Sequence, residues 1–306
     1  MFQPMYGSIV LEMVSDSPAG EILGETTKEY VLEACGEKLD MAQLQEIWEG
    51  KLEPVYPYRK AGPTVEKING KLTAPAAPKI GVAKPKVIIP VFPGTNCEYD
   101  TAKAFARAGA DPEILVIRNL TPADVAESCK ALVKAIDNSQ IVMLPGGFSG
   151  GDEPDGSAKF IASFFRNPEV TEAVRRLLQQ RDGLMLGICN GFQALIKLGL
   201  VPYGDIRPIT AYDPTLTFNT IGRHQSMLVR TRIASTGSPW LSKCEVGEQF
   251  TVAISHGEGR FVAPQEVLDT LMKNGQIATQ YVDIEGNPTM DQRYNPNGSV
   301  LAIEGI

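Results

Sequence analysis

Gly183-Leu-Met-Leu-Gly-Ile-Cys-Asn-Gly-Phe-Gln-Ala-Leu-Ile-Lys-Leu-Gly199 opens as a short apolar run and closes with helical spacing. Leu184 to Ile188 reads as a buried strand, and Phe192, Leu195, Ile196 and Gly199 then recur at the helical period. Between the two, Cys189 sits on a tight turn with Gly187 and Gly191 two residues to either side. That is the layout of a nucleophile elbow, in which glycines relieve crowding around a strained, exposed side chain. The first N–H groups and the positive dipole end of the helix that follows favour thiolate, the nucleophilic form of sulfur. A free cysteine buried at a strand end produces the same pattern, and cysteines in general are more often buried than catalytic. Taken alone, G-x-C-x-G leaves the two readings evenly matched.

Upstream the same texture repeats. Val87 to Phe92 is a strand that runs into Pro93-Gly-Thr-Asn96, and a helix follows through Phe105 to Gly109. A strand from Glu113 to Ile117 precedes Thr121-Pro122, an N-cap and first-turn proline that open a helix. Its buried face is marked by Val125, Cys129, Leu132, Val133 and Ile136. Ile141 to Leu144 is another buried strand, ending in Pro145-Gly-Gly-Phe-Ser-Gly-Gly-Asp152, and helices at about 157 to 165 and 169 to 181 lead back to the opening stretch. Apolar strands alternating with amphipathic helices predict an α/β fold, a mostly parallel sheet with helices on both faces. Functional loops of such a sheet lie at the carboxyl ends of its strands. That rule brings together the turn at 94–97, the loop at 145–151 and the Cys189 elbow.

Beyond Gly199 the pattern is richer in strands. Met227 to Ile233 alternates apolar and polar residues, Phe250 to Ser255 stops at His256-Gly-Glu-Gly259, Pro264 to Asn274 reads as a helix and Gln276 to Val282 as a strand. At the other end, residues 1–58 make a small α+β block: Ser8 to Met13 is strand-like, while Thr26 to Gly36 and Asp40 to Trp48 look helical. Such a block buries too little to fold alone. Pro63, Pro75, Pro78 and Pro85 punctuate residues 59–85, which read as a linker and place the domain boundary there.

Composition bounds the function. The 306 residues suffice for about two domains, and a net charge of −7 argues against a nucleic-acid partner. No run approaches about 18 apolar residues, so no membrane span is expected, and the start lacks the regions of a signal peptide. Five cysteines without a C-x-x-C pair suit reduced thiols in a cytoplasmic protein and give no metal framework.

His224 and His256 are the two histidines, so a cysteine nucleophile has two candidates for its base. His256 ends an apolar strand with Glu258 two residues on, and in extended backbone the two project to one face. A carboxylate there could orient the imidazole towards a thiol, the relation of a triad; a surface turn with an incidental His-x-Glu fits the local sequence at least as well. His224 has no nearby carboxylate and reads as structural or substrate-adjacent. Gly146 and Gly147 offer unobstructed backbone N–H groups suited to an oxyanion hole. The loop lacks the Lys-Ser/Thr of a P-loop, and Asp152, Glu153 and Asp155 beyond it would repel phosphate. Cys97 is the rival nucleophile, but Glu98 and Asp100 flank it and raise a thiol pKa.

Gly187-Ile-Cys-Asn-Gly-Phe-Gln193, Pro145-Gly-Gly-Phe-Ser149 and Ser255-His-Gly-Glu-Gly-Arg-Phe261, in that relation, resemble the class I (triad) glutamine amidotransferases, a flavodoxin-like fold. Pro93-Gly-Thr-Asn-Cys97 and Asn295-Pro-Asn-Gly298 narrow the resemblance to the glutaminase portions of phosphoribosylformylglycinamidine synthases, over residues 86–306. Residues 1–58 resemble the tail of the synthetase portion through Tyr6-Gly-Ser-Ile-Val-Leu-Glu12 and Trp48 to Pro57. The resemblance implies Cys189 as nucleophile, His256 as base and Glu258 as its orienter. It implies an oxyanion hole at Gly147 and Asn190, and glutamine contacts from Gly146, Phe148 and Gln193. It implies no cofactor or metal in this stretch, ATP and magnesium belonging to the synthetase portion, which is the expected partner on the same chain. Relatives carry an aromatic and an acid where this chain has His224-Gln225, and they continue past Ala302-Ile-Glu-Gly-Ile306, which implies a C-terminal truncation. Two other readings stand beside it: another Cys-His-Glu hydrolase, such as a γ-glutamyl hydrolase or peptidase, and a catalytically idle docking module.

Overall fold

A computed structural model describes residues 4–15, 20–57, 60–70, 81–151 and 157–306. Pro75 and Pro78 of the expected linker, and Asp152, Glu153 and Asp155 beyond the glycine-rich loop, lie outside the described residues. The chain divides into two units, Met1–Pro57 and Tyr58–Ile306.

In the first unit a hairpin of β1 (Val31–Ala34) and β2 (Glu37–Asp40) replaces the helix expected over 26–36. Cys35 and Gly36 both take positive φ, 55° and 83°, the backbone that a two-residue hairpin turn demands. The helix expected from Asp40 is present as α1 (Met41–Gly50), with the Asp40 carboxylate accepting from the N–H groups of Ala42 and Gln43. Ser8 to Met13 is exposed and forms no strand. None of the unit's described residues is buried, in keeping with its small size.

The second unit contains β3 (Lys86–Val91), α2 (Glu98–Arg107), β4 (Asp111–Val116), α3 (Pro122–Asp137), β5 (Ile141–Leu144), α4 (Lys159–Phe165), α5 (Pro168–Arg175), β6 (Leu184–Gly187), α6 (Asn190–Leu198) and α7 (Leu200–Tyr203). It continues with β7 (Thr215–Thr217), β8 (Gln225–Ile233), β9 (Gln249–His256), β10 (Arg260–Val262), α8 (Gln265–Lys273), β11 (Thr279–Val282) and β12 (Ile303–Gly305). Thr121 and Asp124 close a capping box on α3.

Strands β4-β3-β5-β6 form a wholly parallel sheet in that order. Alternation along the strands sends Ile88, Val142 and Leu144 into a core shared with Leu132, Phe165, Val174 and Leu195 from α3 to α6. Val87, Ile89 and Met143 point the other way, towards Ala102 and Phe105 of α2. Helices therefore cover both faces, as the sequence pattern predicts. The chain steps outward from β3 to β4 and then back past β3 to β5, so the strand order reverses between β3 and β5, the place where ligands bind in open sheets of this kind.

The strand-rich remainder is antiparallel: β12-β11-β8-β9 form one sheet and β7 pairs with β10. The β8–β9 register runs from Gln225↔His256 to Arg232↔Gln249, which sets His256 at the last rung.

Residues 60–70, expected to belong to a linker, are instead built into this unit. Thr64 bridges Thr289, Met290 N–H donates to Pro63 O at 2.9 Å, and Gln292 N–H donates to Lys60 O at 3.0 Å. Ile68 enters the core at 8% exposure, and its N–H donates to Gln280 Oε1 at 3.0 Å. Arg232, 4% exposed, completes the hold by donating to Ile68 O at 2.7 Å and Asn69 Oδ1 at 2.6 Å. Proline-rich composition marks extended backbone, and extended backbone serves a strap as well as a tether. We expect Arg232→Met to cost about 2 kcal/mol, since hydrogen bonds to a charged group are lost and acceptors are left buried. Denaturant unfolding should register that loss, and amide exchange across 60–70 should quicken; unchanged exchange there would show that Arg232 does not hold the strap.

Candidate active site

Cys189 occupies the turn between β6 and α6 with φ 54° and ψ −110°, a backbone that non-glycine residues rarely adopt and that costs about 1–3 kcal/mol. The surroundings hold it there. Ile188 N–H donates to Leu144 O at 3.1 Å, Gly191 N–H to Ile188 O at 2.9 Å and Gln193 N–H to Cys189 O at 3.0 Å. At Gly191 a Cβ would sit 1.9 Å from Leu144 O, so the turn closes on the end of β5 only through a glycine. Cys189 itself is partly exposed.

The loop after β5 is laced to the turn after β3. Thr95 bridges Gly147 through Phe148 N–H to Gly94 O (2.8 Å) and Asn96 N–H to Gly146 O (3.4 Å), which leaves the Gly147 N–H outside the bridge. Gly147 has φ 138°, and a Cβ there would lie 2.6 Å from Gly94 O. A Cβ on Gly146 would lie 3.3 Å from Cys97 Sγ and 3.9 Å from Cys189 Sγ, so both sulfurs flank this one α-carbon. Phe148 stands 53% exposed beside them. The three strand ends thus meet as the fold rule requires.

Burial first, then Asp100 and Glu98, push the Cys97 thiol pKa up, against a smaller opposing effect of the Gly146 N–H. Cys97 therefore stays protonated, a poor nucleophile.

A relay of buried amides ties the elbow to the histidine turn. Asn190 Oδ1 accepts from Ser149 N–H at 3.3 Å, Asn190 Nδ2 donates to Gln193 Oε1 at 3.0 Å, and Gln193 Nε2 donates to Glu258 O at 2.8 Å. Gln193, expected to touch glutamine, is buried with both ends of its amide engaged by Asn190 and Glu258.

His256 ends β9, and burial pushes its imidazole pKa below the ordinary 6.5, with His224 adding to the effect. The ring is neutral at neutral pH, the form that can accept a thiol proton. Its Nδ1 is buried without a hydrogen-bond partner and lies against Gly259, where a Cβ would be 2.6 Å away. The Glu258 carboxylate does not reach it: Oε2 accepts from Ser157 N–H at 3.2 Å and from the Ser157 hydroxyl. The same-face expectation fails here because β9 ends at His256 and the chain bends at Gly257, so residues 256 and 258 do not share extended backbone. His224 is engaged elsewhere, with Nε2 2.9 Å from Ser255 Oγ.

Three positioning residues went unread in the sequence. Ser157 holds Glu258. Asn219 donates to His256 O at 2.9 Å and accepts from Gly259 N–H at 3.3 Å, and Asn297 donates to Gly259 O at 2.9 Å. Asn295-Pro-Asn-Gly298 entered the sequence reading only through the resemblance, with no role for Asn297. Among the described residues no group of three or more His, Cys, Asp or Glu could hold a metal ion, and no helix is long and apolar enough to cross a membrane.

The sequence profile of the CobB/CobQ-like glutamine amidotransferase domain matches residues 84–306. Phosphoribosylformylglycinamidine synthase subunit PurQ of Methanococcus maripaludis is 35% identical over 229 residues, covering 72% of this chain and 76% of that relative. The protein of the same name from Aquifex aeolicus is 34% identical over 223 residues, covering 72% of this chain and 83% of its own. Among solved structures, one titled PurLQS from Thermotoga maritima superposes with a TM-score of 0.50 at 24% identity, over 72% of this chain and 80% of that one, a likeness of fold.

Two outcomes test the geometry. Gly191→Ala should prevent the elbow from closing and abolish soluble folded protein or lower its stability by more than about 3 kcal/mol, read by thermal unfolding. Because the folded imidazole pKa lies below 6.5, the unfolded chain binds the proton first as pH falls. Stability should therefore drop from about pH 6.5 downward through the lowered folded value, and His256→Asn should flatten that slope in urea unfolding series.

Proposed function

This chain belongs to the CobB/CobQ-like glutamine amidotransferase domain family, and we propose that it is the glutaminase portion of a phosphoribosylformylglycinamidine synthase of purine biosynthesis. The observation that carries the reading is the strained Cys189 elbow seated against the Gly146–Gly147 loop, in a chain 35% identical to a relative named for that enzyme.

Cys189 Sγ attacks the side-chain carboxamide carbon of glutamine. His256 takes the thiol proton and returns it to the departing nitrogen, which leaves as ammonia. The carbonyl oxygen becomes an oxyanion received by the N–H groups of Gly147 and Asn190. Water then cleaves the thioester to glutamate, with the imidazole as base. Gly146 and Phe148 line the glutamine pocket in this reading, and Glu258 orients the imidazole once it is brought to Nδ1.

Ammonia passes to a synthetase portion that spends ATP, with magnesium, to convert formylglycinamide ribonucleotide to the amidine. The solved structure titled PurLQS supports a partner of this kind, and residues 1–58 are read as the synthetase tail on the same chain. Scattered cysteines without a C-x-x-C pair fit a cytoplasmic setting.

Glutamate release from glutamine by the full chain is the test. Cys189→Ala should reduce it to background, Cys97→Ala should retain it, and His256→Ala should lower it by about 100- to 10,000-fold. Hydrolysis of γ-glutamyl peptides in preference to free glutamine would overturn the assignment.

A further inference from the structure

The Glu258 carboxylate and the His256 imidazole are two residues apart, yet each lacks the other. Ser157 directs both its N–H (3.2 Å) and its hydroxyl at the same Glu258 oxygen, Oε2. Ser157 is 5% exposed and precedes Ala158, the fully buried N-cap of α4 with a left-handed φ of 62°. Meanwhile His256 Nδ1 is buried with no partner, at a cost of about 1–3 kcal/mol. An unpartnered ring nitrogen and a carboxylate held by another group thus sit on one turn.

The backbone of that turn has no slack. Glu258 O is held by Gln193, Gly259 N–H by Asn219 and Gly259 O by Asn297. With the backbone held, movement of the carboxylate to the imidazole has to come from the Glu258 side chain and requires breakage of the Ser157 bonds.

We propose that Ser157 is a positioning residue that keeps the Glu258 carboxylate off His256, so that catalysis is slowed until that carboxylate moves to Nδ1. The inference rests on the glutaminase reading above. Once moved, the carboxylate satisfies the orphaned Nδ1–H and fixes the tautomer that turns the lone pair of Nε2 towards the thiol. It also favours the imidazolium formed as the thiol proton is taken.

Steady-state glutaminase kinetics on the full chain test it with Ser157→Ala, Ser157→Thr, Glu258→Gln and the Ser157→Ala/Glu258→Gln pair. Ser157→Ala should raise kcat about tenfold or more with KM unchanged, given that an unoriented triad histidine can cost up to about 10,000-fold. Ser157→Thr, which keeps N–H and hydroxyl, should stay at the wild-type rate, and the pair should show no gain over Glu258→Gln alone. Damage to the fold cannot produce that gain. Should Ser157→Ala not fold, Ser157→Cys, nearly the same size, is read the same way. Wild-type activity that Ser157→Ala leaves unchanged or lowers overturns this inference alone. Absence of Cys189-dependent glutamate release from the wild type and from Ser157→Ala alike overturns the glutaminase reading as well.

Discussion

No side chain fits between Gly191 and the carbonyl oxygen of Leu144, and that contact decides where the elbow stands. It seats the first turn of α6 on the end of β5, so the strand that supplies the glycine-rich loop also supports the cysteine. The backbone strain at Cys189 persists because its neighbours are hydrogen-bonded on both sides of it. The loop after β5 is in turn stitched to the turn after β3. A sheet whose strand order reverses between β3 and β5 opens a crevice, and these close approaches give that crevice fixed walls.

The histidine is positioned by different means. Its turn is held by buried neutral amides from Asn219 and Asn297, with Ser299 Oγ donating to Gly259 O at 3.4 Å and accepting from Phe261 N–H at 3.0 Å. Each such group would be costly to leave unpaired, so the backbone is determined closely, while the Glu258 carboxylate is held apart from it by Ser157.

What could be read from the sequence follows the range of the interactions. Residues 86–199 were legible because apolar periodicity, the Thr121-Pro122 cap and the glycines around Cys189 are local signals of local structure. The hairpin at 31–40 was misread because Cys35-Gly36 is a turn whose chemistry the surrounding helix-like composition hides. The strap at 60–70 was misread because its partners, Arg232, Gln280 and residues 289–292, lie far along the chain. At the site, Cys189, His256 and the Gly147 loop announced themselves by residue type on strand ends. Ser157 did not, since a serine about 100 residues from the carboxylate it holds leaves no pattern for periodicity to detect. Gln193 was read as a glutamine contact from the resemblance, and nothing local shows that both ends of its amide are engaged within the fold.

The strap also separates two boundaries that are easily equated. The family likeness begins at residue 84, but Ile68 is in the core and Arg232 finds its acceptors at Ile68 and Asn69. The cooperative folding unit therefore starts some two dozen residues earlier than the stretch defined by shared ancestry. A protein cut at the ancestral edge would keep every catalytic side chain and lose a seam of its own interior, leaving a buried guanidinium facing vacated space.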